Sequence, residues 1–193
     1  MSYLRGTEIN EIANDVRLLS IDEIDDISHY LFDSKVKEYN IFLEVAQKFF
    51  DLNISKTFLL IHKRTHELLA YMTLSADSIK LTADEKEIHD IAKVPYASIP
   101  ALKIGKLAVN KVLSKEASRK GYGSFMLEMA RAFAFGMNEL GIACRFLTVD
   151  ADIEYNSDTP EFYYKNGFVE NLSNKTRNAK HTISMRKDIF ADD

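Results

Sequence analysis

A seven-residue segment, Ser118–Ser124, combines two glycines with an arginine and a lysine just before a stretch of helical periodicity. Gly121 and Gly123 allow a tight backbone turn, and the free N–H groups and positive dipole end of a following helix suit a pyrophosphate. Other phosphate motifs fit poorly, because a dinucleotide fingerprint needs glycine at Met126 and a P-loop needs Gly-Lys-Ser/Thr. The segment predicts an anion site, with the alternative that its glycines only shape a loop before a core helix.

A second segment, Asn156–Phe168, carries further side chains that could take part in chemistry. Ser157 or Asp158 can cap a short helix, and a glycine near the end of the segment can stop it. The phenol of Tyr163 could act as a general acid toward a leaving group. The alternative is that Tyr163 is an aromatic residue of the core or its rim.

The remaining reactive residue types are scattered along the chain. His62 and His66 lack the H-E-x-x-H pattern of a zinc site and are expected to be solvated in a turn, so we predict no metal. Cys144 lies in an apolar run, which indicates a core thiol rather than a nucleophile. Four acids are expected to form a solvated face, with the alternative that one reaches the rim of an active site: Asp84, Glu85, Glu87 and Asp90.

Composition limits the class of protein. The chain has 193 residues, of which 46% are apolar, and its net charge is -4. This make-up predicts one globular domain over residues 1–193, without the broad basic face of a nucleic-acid binder. One cysteine cannot form an internal disulfide, Met1–Asn14 lacks the apolar run of a signal peptide, and no stretch approaches the ~18 apolar residues of a membrane span. We therefore expect a cytoplasmic protein that does not enter membranes.

Hydrophobic patterning predicts the elements that must hold the two segments in place. The predicted helices are 22–32, 35–50, 126–140 and 159–165, and the predicted strands are 16–20, 57–62, 68–75, 102–110, 143–149, 168–172 and 182–186. Residues 82–94 are interpreted as a connection over the surface. The strand, glycine loop, helix and strand over 102–149 form one right-handed crossover, which predicts a mixed α/β domain.

Three features in register resemble the GNAT superfamily of N-acetyltransferases. The family's acetyl-CoA loop reads R/Q-x-x-G-x-G/A, and its later helix reads N-x-x-A-x-x-F-Y. This chain has Ser118-x-x-Gly121-x-Gly123 and Asn156-x-x-Thr159-x-x-Phe162-Tyr163, with a strand between them. Ser98–Asn110 is also similar to the I-P-A-x-x-x-G-R-L-A-V-D strand of GNAT toxins from toxin–antitoxin pairs, and the likeness extends over roughly residues 16–187.

The resemblance implies an α/β (α+β) fold with a mixed, mostly antiparallel central sheet, helices on both faces and a strand–loop–helix site for acetyl-CoA. It implies direct attack of an amine on the thioester, with the N–H of Val109 stabilising the oxyanion and Tyr163 protonating the departing thiolate. Ser118 stands where the family usually has arginine or glutamine, and Arg119 could supply that charge. The implied cofactor-binding residues are Leu107, Ala108, Val109, Arg119, Lys120, Gly121, Tyr122, Gly123, Ser124 and Asn156.

The acceptor stays open at this stage. The toxin resemblance implies aminoacyl-tRNA as substrate and an antitoxin partner, whereas the net charge allows a small-molecule or protein amine. A non-catalytic acyl-CoA-binding interaction protein is a third alternative. The oligomeric state stays open, with a homodimer as one alternative. If tRNA is the acceptor, the basic strip that binds it would consist of Lys111, Lys115, Arg119, Lys120, Lys175, Arg177, Lys180, Arg186 and Lys187.

Overall fold

A computed structural model describes residues 6–172 and 181–191. The described residues contain seven strands, hydrogen-bonded in the order β1-β2-β3-β4-β5-β7-β6. The pairs β1–β2, β2–β3, β5–β7 and β6–β7 are antiparallel, whereas β4 and β5 are parallel. The predicted mixed, mostly antiparallel sheet is confirmed. The strands are β1 (Val16–Ser20), β2 (Lys56–His62), β3 (Leu68–Lys80), β4 (Ser98–Val109), β5 (Phe146–Asp152), β6 (Val169–Glu170) and β7 (Thr182–Asp188), and the helices are α1 (Gly6–Asp15), α2 (Lys37–Asp51), α3 (Ala83–Ile88), α4 (Tyr122–Glu139) and α5 (Thr159–Lys165).

The described residues group into two compact units. The first unit holds residues 6–75 and 105–129, and the second holds 76–104, 130–172 and 181–191. Three elements, β3, β4 and α4, contribute residues to both.

The first unit is built on the β2–β3 hairpin that the sequence predicts. Its core joins one face of α2 to this sheet, because Leu43 and Ala46 of α2 pack with Leu59, Tyr71 and Ala108. The turn of the hairpin also holds the end of α1, since the Lys63 ammonium donates to the carbonyls of Ala13 and Asn14 at 3.2 and 2.7 Å. Cations suit a helix C-terminus.

The second unit has its own core of apolar side chains from β3, β4 and β5. Ile79, Ile99, Ala101 and Phe146 form its buried centre, and Val94 packs against them. The parallel register of β4 and β5 sets Lys103 beside Thr148. Cys144 is 2% exposed, which confirms the prediction of a core thiol.

Several predicted elements are wrong in detail. Residues 22–32 form only two 3-10 turns, Ile21–Glu23 and Ile27–His29, rather than one helix. The surface connection at 82–94 contains α3, whose Thr82 and Glu85 form a capping box. The strand expected from Ala143 begins at Phe146, because the amide of Asn138 bonds both the N–H and the carbonyl of Cys144.

The apolar stripe predicted for the long helix is only partly buried. Met126 and Ala130 are fully inaccessible, whereas Leu140 lies beyond the end of α4 and is 81% exposed. Among the described residues, no helix combines the length and the apolar character that crossing a membrane requires.

Candidate active site

The end of β4 in the first unit presents the first group of predicted site residues. Ala108 is buried in the core beside Tyr71, while Leu107 and Val109 are half-buried. Since successive side chains of a strand point to opposite faces, Leu107 and Val109 lie on the face away from that core. Leu107, Ala108 and Val109 thus form the last three residues of β4.

Asn110 fixes where β4 ends, and sequence analysis missed this role. Its Nδ2 donates to the carbonyls of Leu31 and Leu68, both at 2.8 Å. Its Oδ1 accepts the N–H groups of Asp33 and Val112, both at 3.1 Å. All four hydrogen-bonding positions of the buried amide are used, so the chain direction after Val109 is set by one side chain.

The loop between β4 and α4 is held by polar contacts within the first unit. The Ser114 hydroxyl and N–H donate to the Glu67 carboxylate at 2.6 and 2.7 Å. Burial opposes ionisation of Glu67, but the hydrogen bonds from Ser114 hold its pKa below its ordinary value. The Tyr122 hydroxyl donates to the carbonyl of Ala117 at 2.7 Å. These bonds organise the loop before any ligand binds.

The glycine turn opens directly into α4. Gly121 has φ +102°, in the left-handed region that favours glycine, and its carbonyl accepts the N–H of Phe125 at 2.9 Å. The N–H groups of the first turn of an α-helix have no acceptor within the helix, so residues 122–124 present donors at its positive end. The predicted strand–loop–helix arrangement is present.

Ser124 gives this turn a second feature. The residue is 1% exposed, and its hydroxyl makes no hydrogen bond with the described residues. An unsatisfied buried hydroxyl is costly in a folded protein, so this one calls for a structural or functional reason.

The other side chains of the glycine turn differ in their accessibility. Arg119 contacts two acids of α1, at 3.4 Å from Glu11 and 4.0 Å from Asp15, which offset part of its charge. Lys120 is exposed. The side chain of Tyr122 is buried, which leaves its backbone as its part of the helix start.

In the second unit, Asn156 shapes the entry to α5. Its Oδ1 accepts the N–H of Asp158 at 3.0 Å, and its carbonyl accepts the N–H and hydroxyl of Thr159 at 3.1 and 2.8 Å. Asp158 stands at the predicted N-cap position, but its side chain makes no cap hydrogen bond. The Asx turn of Asn156 organises the entry to the helix instead.

Tyr163 lies on α5 and is 5% exposed. Its ring meets Phe162 and Phe168 edge-on, with centroid distances of 5.0 and 5.3 Å. The neighbouring phenol of Tyr164 is exposed and donates a hydrogen bond to Glu170. Because this bond stabilises the protonated phenol, it raises the pKa of Tyr164 to about 12. Tyr164 is thereby less suited than an ordinary tyrosine to give up its proton.

Several ionisable side chains that were predicted to be solvated are buried in the structure. Glu85 is buried rather than solvated and is paired with Arg186. Arg186 and Lys187, two members of the predicted basic strip, are 3% and 5% exposed, whereas Lys175, Arg177 and Lys180 lie outside the described residues. His62 is also buried, and its Nδ1 contacts the Thr65 hydroxyl at 2.9 Å. Within 6–172 and 181–191, no group of three or more His, Cys, Asp or Glu side chains could hold a metal ion.

The fold of the chain is similar to that of solved GNAT toxins of toxin–antitoxin systems. A tyrosine-to-phenylalanine mutant of KacT superimposes with a TM-score of 0.65 at 22% identity, covering 88% of this chain and 94% of that chain. AtaT complexed with acetyl-methionyl-tRNAfMet gives 0.66 at 22% identity, with the same coverage. AtaTR bound with AcCoA gives 0.62 at 20% identity, covering 89% and 93%. No protein-family model and no curated protein sequence matches the chain.

Proposed function

We propose that this chain is an acetyl-CoA-dependent N-acetyltransferase, in which residues 1–193 form one catalytic domain. The observation that carries the proposal is the start of α4, where the left-handed Gly121 is followed by a buried, unsatisfied Ser124 hydroxyl. A fold shared with AcCoA-bound AtaTR supports the same cosubstrate.

The residues at the start of α4 fit the pyrophosphate of acetyl-CoA. Backbone N–H groups of 120–124 would donate to its oxygens, and the Ser124 hydroxyl would gain a partner. Lys120 would add an exposed positive charge, and Arg119 would do so to the extent that Glu11 and Asp15 release it. Along β4, the backbone of Leu107, Ala108 and Val109 would hold the pantetheine arm, and Asn156 would bind the same arm.

The proposed chemistry is direct transfer. The neutral amine nitrogen attacks the thioester carbon while the N–H of Val109 donates to the carbonyl oxygen, where negative charge develops. The C–S bond then breaks, and Tyr163 gives its proton to the departing thiolate. The amine loses one proton to solvent, and solvent returns one proton to Tyr163. No acyl-enzyme is required, which agrees with the burial of the Cys144 thiol and the raised pKa that burial gives it.

For the acceptor, we infer aminoacyl-tRNA, with a small-molecule or protein amine as the alternative. The AtaT complex with acetyl-methionyl-tRNAfMet supports the first. The net charge of -4 and the burial of Arg186 and Lys187 favour the second. An antitoxin partner is proposed by likeness to AtaT bound to the C-terminus of AtaR. We also propose a cytoplasmic homodimer.

One assay tests the proposed activity. Purified protein is incubated with acetyl-CoA and, in separate reactions, with charged tRNA, polyamines and peptides with free amines, and release of the CoA thiol is followed. Acetylation of any of these acceptors is expected. Calorimetry with acetyl-CoA runs beside it, and absence of both heat and turnover would reject the assignment.

A further inference from the structure

The C-terminus of α5 is closed by a Schellman motif. Gly167 has φ +80°, and its N–H donates to the carbonyl of Tyr164 at 3.0 Å. The N–H of Phe168 donates to the carbonyl of Tyr163, also at 3.0 Å. These two bonds are the paired 5→2 and 6→1 contacts of the motif, which brings the residue after the glycine back against the last turn of the helix.

The side chain that the motif returns is Phe168, and the residue that it meets is Tyr163. Their ring centroids are 5.3 Å apart with planes at 67°, and Phe168 is 1% exposed. Phe162 also contacts Tyr163 edge-on, at 5.0 Å and 70°. The position of Phe162 is itself supported by Asn166, whose Nδ2 donates to its carbonyl at 2.7 Å. The phenol ring therefore packs against two other aromatic rings.

We propose that Phe168 is a positioning residue for Tyr163, and that the helix-ending motif orients the phenol for proton transfer. This inference rests on the proposed acetyltransferase activity. A tyrosine side chain is free to change two torsions, and packing by a buried ring restricts both. Since misplacing a reacting group by about 1 Å can cost about 10²-fold in rate, loss of the Phe168 ring should lower turnover without removing a reacting atom.

A double-mutant cycle separates this role from a general loss of stability. Phe168→Leu is expected to lower kcat by about 10-fold or more while the Kd for acetyl-CoA changes less than about 2-fold. If Phe168 acts through Tyr163, the same change made in a Tyr163→Phe background should alter kcat by less than about 2-fold. An equal loss in both backgrounds, or an unchanged kcat in the single variant, would overturn the proposal.

Phe146→Leu serves as the matched control. Phe146 is equally buried in the same unit and meets His89 edge-on at 4.8 Å. Phe146→Leu should lower the Tm by about as much as Phe168→Leu does. Its effect on kcat should be the same with and without the Tyr163 hydroxyl. If Phe168→Leu does not fold, Gly167→Ala changes the motif through the backbone, since alanine is strained at φ +80° although its Cβ would lie an ordinary 3.4 Å from the Lys187 side chain.

A spectroscopic measurement distinguishes failure of this inference from failure of the proposed function. The protein is labelled with 3-fluorotyrosine, and the signal of residue 163 is assigned by its loss in Tyr163→Phe. If packing slows the flipping of the Tyr163 ring, its two orientations should give separate fluorine signals. Phe168→Leu should merge them. If the signals merge in Phe168→Leu but the wild-type protein is inactive, the proposed function alone is rejected. If Phe168→Leu leaves the signals unchanged, the positioning role is rejected.

Discussion

Arg186 and Glu85 form a buried ion pair in the second unit, with 2.6 Å between Nη1 and Oε1 and both side chains almost fully inaccessible. The same Glu85 oxygen accepts the N–H of Leu172 at 2.9 Å, and Arg186 also donates to the carbonyl of Glu170 at 2.7 Å. Burial raises the pKa of Glu85, but hydrogen bonds from Thr82 and Leu172 and the charge of Arg186 bring it below its ordinary value. The pair joins α3 to β7.

Breaking this pair should strongly destabilise the fold. Glu85→Gln leaves the Arg186 guanidinium buried without a counter-charge, which typically costs about 3–5 kcal/mol. Glu87→Gln is the matched control, because Glu87 lies exposed on the same helix and its loss should cost within about 0.5 kcal/mol. Urea unfolding of both variants measures the difference. Equal stabilities would show that the pair contributes nothing.

His89 gives the same region a predicted pH dependence. Its Nδ1 contacts Asp188 at 3.1 Å and its Nε2 faces the Nε of Arg186 at 3.4 Å. Burial, together with the charges of Arg186 and Arg145, lowers the pKa of His89 despite the opposing effect of Asp188. The unfolded chain thus binds a proton near pH 6.5 while the folded chain still resists it, so stability should fall as pH drops through that range.

The measurement for His89 is urea unfolding between pH 7.5 and 5.5. The slope should be at most about 1.4 kcal/mol per pH unit, and it should be weaker in His89→Asn, which has no proton to take up. The stability of wild-type protein should be at its full value above pH 6.5. A wild-type slope identical to that of the variant would exclude His89 as its source.

The sequence alone predicts those helices and strands whose ends are marked by nearby residues. The bounds of α5, Thr159–Lys165, were predicted because a proline near its start and Gly167 beyond its end mark both termini within nine residues. Glu85 was misjudged because its partner lies 101 residues away, and among neighbouring acids nothing in a local pattern separates a buried carboxylate from a solvated one. Asn110 was missed for a similar reason, since three of its four side-chain partners are distant in sequence and come from 31–33 and Leu68.

For the candidate site, the sequence located the glycine turn and Tyr163 but not the state of their side chains. Spacing identified Arg119 as a cation near the turn, and only the structure places Glu11 and Asp15 beside it. Similarly, the motif Phe162-Tyr163-Tyr164 presents two phenols, and only the structure distinguishes them, by the burial of Tyr163 and the contact of the exposed Tyr164 with Glu170. Such differences depend on contacts between distant elements, which spacing does not encode.

Ser124→Ala should separate stability from ligand binding. Removing a buried hydroxyl that lacks a partner should leave the Tm of the free protein unchanged or higher, while the Kd for acetyl-CoA rises by about 3- to 10-fold through a lost hydrogen bond. Thr57→Val is the matched control, because the Thr57 hydroxyl is also buried and has no partner among the described residues. It should leave the Kd unchanged. Calorimetry and thermal unfolding of both variants provide the test, and an unaltered Kd for Ser124→Ala would remove the hydroxyl from the proposed site.

Tyr163→Phe should slow acetyl transfer by about 10²- to 10⁴-fold with little change in acetyl-CoA affinity, because it removes a proton donor and almost no volume. Tyr164→Phe should retain turnover within about 2-fold, since that phenol is exposed and engaged by Glu170. Steady-state kinetics with the best acceptor measures both. If the two variants exchange these effects, the proton comes from Tyr164 instead.

The three exposed lysines of the predicted basic strip should contribute to the salt dependence of tRNA binding. With Arg186 and Lys187 buried and Arg119 paired, three exposed lysines remain among the described members of the predicted strip: Lys111, Lys115 and Lys120. If these lysines neutralise about three phosphates, they contribute about -2.7 to the slope of log K against log salt, or roughly 40-fold between 50 and 200 mM. Reversing the three lysines to glutamate should weaken charged-tRNA binding and flatten this slope, while reversing Lys37 and Lys48 on α2 should change neither. If a small amine is acetylated at a rate that does not depend on salt, and charged tRNA is not modified, the small amine is the acceptor. The acetyltransferase proposal would still hold.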